Sequence, residues 1–318
     1  MENYTGELIA LGVAVSWTIT ALCFEYAGKK IGALALNVVR LTLAILMLGI
    51  MLQYFTGSIA PWNAGREAWG WLTLSGLVGY VFGDFCLFNS YLIIGARFGQ
   101  LFMTLAPLFA AITGYLFLGE NMNLSALLGM LISITGIGLS IIGQTDSAKE
   151  KNGNSHKWEI TLPTKGILLG IGAALGQGVG LVLSKMGINS YLTHVPPVTP
   201  TEAFMVPFAA TQVRAIVGLI GFLILLFIQG RQHALLGIFR DRRVLATSTA
   251  GTFFGPFVGV AFSLMAVQYT GAGIASTLMA LTPVLIILPS HYIFKERITF
   301  QQILGTLISI IGVSLFFL

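Results

Sequence analysis

Asp84 is the one acid set well inside an apolar run of this chain, 16 residues into a stretch that begins at residue 68 (84 − 68 = 16). At about 1.5 Å per helical residue it lies ~25 Å from that start, which Trp69 and Trp71 mark as interfacial. An ionisable group at such depth is costly and is a candidate site by default. The chemistry open to it is to take up and release a proton or a small cation. The structural alternative is a fixed pair with Arg40. Arg40 and Arg214 occupy matched places in two other apolar runs. A guanidinium there can clamp a carboxylate or phosphate through paired hydrogen bonds. It can equally cap carbonyls, pair with Asp84 or snorkel to headgroups. The uncharged candidates are Trp17, Asn37, Gln177, Gln212, Thr104, Ser276 and Phe254, with Asn89, Gln100 and Met279 behind them. Phe254 stands with Phe253 and Phe257 around Gly255-Pro256, where rings could bind a flat solute or simply pack and the Gly-Pro pair invites a kink.

These residues need helices to hold them. A hydrocarbon core of about 30 Å takes about 20 apolar residues in helix. Ten stretches qualify, at 8–27, 31–55, 68–94, 98–118, 124–143, 166–187, 206–229, 244–269, 272–293 and 299–318. The expected fold class is therefore an all-α integral membrane protein of ten transmembrane helices. The chain is 56% hydrophobic and 9% charged, against roughly 25% charged in a soluble domain. Its net charge of +5 sits in short loops between apolar runs, so no nucleic-acid partner is expected. Cys23 and Cys86 lie inside apolar runs without metal-ligand spacing and read as small packing residues. No metal or cofactor is expected. The first run follows Glu2 and Glu7, not a basic stretch, and reads as a retained span.

The ten stretches form two copies of one module. Tyr91–Leu139 overlays Val267–Leu315 at a constant offset of 176 (283 − 107 = 176), matching Gly95-Ala96 with Gly271-Ala272, Pro107 with Pro283, Glu120 with Glu296, Gly129 with Gly305 and Gly136 with Gly312. Leu131-Ile132-Ser133-Ile134 recurs as Leu307-Ile308-Ser309-Ile310. Nearer the front of each copy, Trp17 falls on Gln177 (177 − 17 = 160) and Arg40 on Arg214 (214 − 40 = 174). The second copy thus holds 14 extra residues (174 − 160 = 14) around His194–Pro207, expected to form an outer loop. Asp84 falls on Val260 and so lies outside the shared pattern. Residues 1–143 form the first copy, 144–165 a polar linker and 166–318 the second copy.

Orientation follows from Lys and Arg in the short loops. The odd-numbered connections carry thirteen: Lys29, Lys30, Arg97, Lys149, Lys151, Lys157, Lys165, Arg231, Arg240, Arg242, Arg243, Lys295 and Arg297. The even-numbered connections and the tails carry one, Arg66. This places the linker in the cytoplasm of a cell-membrane protein and both termini outside. Five spans per copy then make the two copies inverted relative to each other, the arrangement of alternating-access transporters with a solute site where the copies meet. Glu25 precedes Lys29 by four and reads as an ordinary ion pair near the cytoplasmic surface. The glycine run from Gly166 to Gly180 reads as a packing seam between helices; it lacks the Gly-Lys-Ser/Thr ending of a phosphate loop.

The run Gly95, Ala96, Pro107, Gly119, Glu120, Gly129 and Gly136, its second-copy version with Lys295 in place of Gly119, and Trp17 and Arg40 resemble the drug/metabolite transporter superfamily, specifically its EamA-type ten-span members. The resemblance covers nearly the whole chain outside the linker and the insertion. It implies a central cavity between the copies and movement of a small organic solute, often export, and it leaves the solute open. The expected partners are that small-molecule substrate, membrane lipid and protons, with a working monomer. A lipid flippase is an alternative. An intramembrane enzyme is a weaker one. The chain lacks His-Glu-x-x-His and a Gly-x-Ser-Gly nucleophile, and has one mid-membrane Asp where an aspartyl protease needs two. Without a nucleotide-binding loop, any pumping draws on a gradient.

Overall fold

The computed structural model describes residues 4–119, 125, 128–129, 131–140, 162–197, 199–236, 241–270, 278–294 and 298–316. They are helical, with no strand among them. In the first half α1 is Thr5–Ile31, α2 Ala33–Thr56, α3 Arg66–Ser75, α4 Phe85–Met103, α5 Ala106–Leu118 and α6 Leu131–Ser140. The second half holds α7 Thr164–His194, α8 Pro200–Ile228, α9 Arg242–Thr252, α10 Val260–Thr270, α11 Thr282–Leu285, α12 Ile287–Phe294 and α13 Phe300–Phe316. Six of the described helices are long and apolar enough to cross a bilayer: Thr5–Ile31, Ala33–Thr56, Arg66–Met103, Thr164–His194, Pro200–Ile228 and Arg242–Ala266. Four apolar helices are shorter: Ala106–Phe117, Leu131–Ser140, Thr282–Phe294 and Phe300–Leu315. Large apolar side chains such as Ile50, Leu116, Ile228 and Tyr292 face outward, as lipid-facing groups do.

Breaks in these helices have local causes. Within α4, Gly95 has φ 82° and ψ 157°, the geometry also found at Gly32 between α1 and α2. Only glycine holds this conformation without strain, so the chain turns a corner there and Ala96 starts a new helical run. One run later, Thr104 and Leu105 form a tight turn before Pro107, and Ala280 and Leu281 form the same turn before Pro283. In each, a leucine N–H donates three residues back: Leu105 to Phe102 O (3.0 Å) and Leu281 to Leu278 O (3.2 Å). Proline has no N–H to donate and its ring crowds the carbonyl four residues back, so the turn before it tightens. Both turns sit at the 176-residue offset read from the sequence.

A π-helical segment, Gly76–Asp84, joins α3 to α4, and a second, Phe253–Gly259, joins α9 to α10. They occupy matched places in the two halves. Around the second, the kink expected at Gly255-Pro256 takes this form.

Helices from one half pack on helices from the other. α1 lies on α9 and α10, α7 on α3 and α4, and α2 on α8. The α6–α13 contact is self-complementary. A Cβ on Gly136 would come 2.6 Å from Gly305 O, and one on Gly312 would come 2.6 Å from Gly129 O. Ser133 Oγ donates to Ser309 O at 3.0 Å. Gly305, Ser309 and Gly312 are the 176-offset counterparts of Gly129, Ser133 and Gly136, so the same surface meets itself, as across a two-fold axis.

The insertion departs from expectation. α7 continues to His194 and α8 begins at Pro200, so much of the stretch expected to be loop is helix. The cause was written in the sequence. Thr199 accepts from Glu202 N–H, Glu202 reaches back to Thr199 N–H, and Pro200 opens the helix, a complete capping box.

Candidate functional site

The site is built on the contact between α7 and the π segment Gly76–Asp84. Backbones touch there: a Cβ on Gly176 would lie 2.6 Å from Gly83 Cα, and one on Gly180 2.9 Å from Gly79 Cα. The glycine run does serve as a close-packed seam. Its function in the site is to bring Gln177, from the second half, against Asp84 of the first. Gln177 Nε2 donates to Asp84 Oδ1 at 2.7 Å and to Gly79 O at 3.0 Å. The second acceptor is a carbonyl of the π segment, whose backbone groups are left partly free by the altered hydrogen-bond register.

Asp84 Oδ2 accepts from Arg40 Nη2 in a buried ion pair. Arg40 Nε donates to Asn37 Oδ1 at 2.7 Å, and Asn37 Nδ2 donates to Ala33 O at 2.9 Å. The Arg40 guanidinium also lies 4.8 Å from the Phe88 ring centroid and 5.5 Å from that of Tyr80. Tyr80 is shared: on it sits Arg214 of α8, 4.6 Å from the ring centroid. Asp84, Arg40, Asn37, Gln177 and Arg214 thus form one cluster, drawn from both halves and centred on Tyr80. Of the two readings open for Asp84, the ion pair with Arg40 is present, and the same pair is part of a network that crosses the repeat boundary.

The remaining candidates lie elsewhere. Trp17 packs against Gly259, where a Cβ would come 2.8 Å from Trp17 Nε1. This contact repeats that of Gln177 with Gly83, one on each side of the molecule (177 − 17 = 160; 259 − 83 = 176). Next along the same helices, Thr20 meets Gly255 as Gly180 meets Gly79. The helix contact is common to both halves: on the α1 side Thr20 Oγ1 donates to Gly251 O at 3.3 Å, and the α7 side carries the charged network. Gln212 Nε2 donates to Ile45 O (3.2 Å) and Ile59 O (3.1 Å) and ties α8 to α2 outside the cluster. Thr104 Oγ1 contacts Ser309 Oγ at 2.9 Å, on the seam between the halves. Phe254 is half-buried, edge-on to Phe253 at 5.3 Å. Ser276 lies outside the described residues.

Three residues carry more than the sequence suggested. Tyr80 was not singled out, although its place four residues before Asp84 on a helical run was the available signal. Glu25 does pair with Lys29, but it is fully buried, not interfacial. Its Oε2 accepts the Ala96 N–H at 2.8 Å, so a carboxylate from α1 caps the helical run that starts after Gly95, where negative charge is favoured. Arg97, counted among loop cations, is likewise 6% exposed and donates to Gln302 Oε1. Replacing Glu25 with Ala should cost about 1.5–3 kcal/mol, the worth of hydrogen bonds to a charged group. Glu25→Gln, which keeps an acceptor, should cost less, as read from melting in detergent.

Two small cavities of about 10 Å³ each are lined by described residues, one beside Thr104 and Ser133, the other beside Arg97 and Gln302. α7 lies backbone-to-backbone on the π segment, so the two halves are in direct contact there.

Comparison with known proteins agrees with this architecture. One crystal structure superposes on 99% of this chain and 96% of its own with a TM-score of 0.59 at 17% identity, a likeness of fold alone. No curated protein matches the sequence. The model of the EamA-like transporter family matches residues 4–142 and again 164–318. With both halves matched, this multi-pass membrane chain belongs to the EamA-like transporter family.

Proposed function

We propose that this protein is a secondary transporter that exports a small organic solute across the cell membrane by alternating access between its two halves, with protons as the coupling ion. In this reading the six long and four short apolar helices make ten crossings, residues 1–143 and 166–318 act as inverted five-helix units, and the 144–165 linker is cytoplasmic with both termini outside. One chain supplies the whole pathway. The observation that carries the reading is the Asp84–Arg40–Gln177 network, a charged group among apolar helices held jointly by both halves. Protonation of Asp84 would weaken its grip on Arg40 and Gln177 together, and so would loosen the contact between the halves. The glycine seams allow sliding, since few side chains interlock across them.

The test is flux. Purified protein in proteoliposomes is given panels of amino acids, nucleosides, sugar phosphates and quaternary amines with and without a pH gradient. Binding is first located by melting shifts, since a ligand at 100 times its Kd adds about 2.7 kcal/mol to the folded state. Gradient-dependent flux that collapses in Asp84→Asn is the expected result. Flux unchanged in rate and pH dependence in that variant would remove proton coupling through Asp84. A response confined to lipids would overturn the soluble-solute reading in favour of a flippase.

A further inference from the structure

Arg40 and Arg214 stand at matched places, yet their surroundings differ. Arg40 has Asn37 and Asp84. The corresponding positions for Arg214 are Thr211 (211 − 37 = 174) and Val260 (260 − 84 = 176). Thr211 spends its hydroxyl on Pro207 O at 2.8 Å, and valine has no polar atom to offer. Arg214 is 3% exposed. Among the described residues it forms no ion pair, and its Nε has no hydrogen-bond partner. Its guanidinium rests on the Tyr80 ring, and the Tyr80 hydroxyl is also buried without a partner. The cluster holds two guanidiniums and one carboxylate, a buried excess of one positive charge (2 − 1 = 1).

An unmatched guanidinium in an apolar interior is strongly disfavoured, and contact with an aromatic face offsets only part of that. The cluster is therefore built to be completed by an anion. Resting on the transporter reading above, we infer that the transported solute carries one oxyanionic group, a carboxylate or a singly charged phosphate, and that Arg214 is its partner in the protein. The guanidinium fork suits either group, with paired N–H donors in one plane. The Tyr80 hydroxyl, buried without a partner, provides a further donor. A cationic solute would meet net repulsion from the cluster, and a neutral one would leave the charge unmatched.

Binding tests this without knowledge of the natural solute. Benzoate and inorganic phosphate are titrated against the purified protein by thermal shift at constant ionic strength, with benzamide and benzylammonium as controls. The expected result is a saturable shift with at least one anion and none with the controls. Arg214→Gln should weaken that binding by about tenfold or more, the loss of a charge-assisted hydrogen bond. Arg214→Lys, which keeps the charge without the fork, should fall between. Should Arg214→Gln fail to fold, Arg214→Lys carries the test, and undiminished affinity there counts against the inference. Silence toward both anions, equal shifts from benzamide and benzoate, or an unaltered shift in Arg214→Gln overturns it. The flux panel keeps the two readings apart: transport of neutral or cationic solutes untouched by Arg214→Gln refutes the anion and leaves a transporter. No flux of any class refutes the transporter itself.

Discussion

Asp84→Ala should destabilise the protein by about 3–5 kcal/mol, the usual effect of leaving one partner of a buried ion pair alone. Removal of the carboxylate takes from Arg40 its only acid among the described residues and strands Gln177 Nε2 with a single acceptor, Gly79 O. Two guanidiniums would then face the Tyr80 ring with no negative charge between them. The double variant Arg40→Met/Asp84→Leu should recover most of the loss, because well-packed apolar groups replace such pairs at little cost. Unfolding midpoints in detergent for the two single variants and the double variant give the coupling directly. If the double variant were as unstable as Asp84→Ala, charge burial would not be the cause. The comparison also separates stability from transport: the double variant should fold yet move no solute.

The second large effect is expected at Gly176. A Cβ there would meet Gly83 Cα at 2.6 Å, Gly83 N at 2.9 Å and Val78 O at 2.9 Å. All three are backbone atoms, so no rotamer change can make room. Overpacking in a tight core costs about 1–3 kcal/mol, and Gly176→Val should reach the top of that range while pulling Gln177 off Asp84. Gly12 is the control. No heavy atom lies within 4 Å of a Cβ built on it, and Gly12→Ala should leave stability unchanged or raise it by about 0.5–1 kcal/mol through helix propensity. Melting of the three proteins side by side distinguishes a packing requirement from a general intolerance of the helices to substitution.

Much of this was visible in the residue pattern, and the failures have physical reasons. The doubled glycine and proline pattern marked the repeat, and the paired turns before Pro107 and Pro283 and the self-complementary α6–α13 contact fall at its offset, because both depend on small residues and missing N–H groups. The Asp84–Arg40 pair was one of two readings, and the place of Gln177 opposite a matched Trp17 was apparent. Burial was harder. Glu25 and Arg97 stand beside loop positions in the sequence, yet both are buried: the chain that turns at Gly95 sets the Ala96 N–H on Glu25. Tyr80 escaped notice because an aromatic residue in a membrane helix has no distinguishing mark until two arginines from different helices converge on it. The contact of Gly176 and Gly180 with Gly83 and Gly79 depends on which backbones touch, and no one-dimensional pattern sets that distance.

The two π segments change how these helices must be mapped. An α-helix advances about 100° per residue, so an inserted residue turns everything beyond it by about that angle relative to what came before. Along Arg66–Ile94 the side chains before Gly76 and those after Asp84 therefore do not share one continuous stripe, and a single helical wheel drawn for the whole run superimposes faces that point in different directions. The same holds on either side of Phe253–Gly259. Each of these rods is two rods with a phase step between them, and Asp84 stands where the step ends.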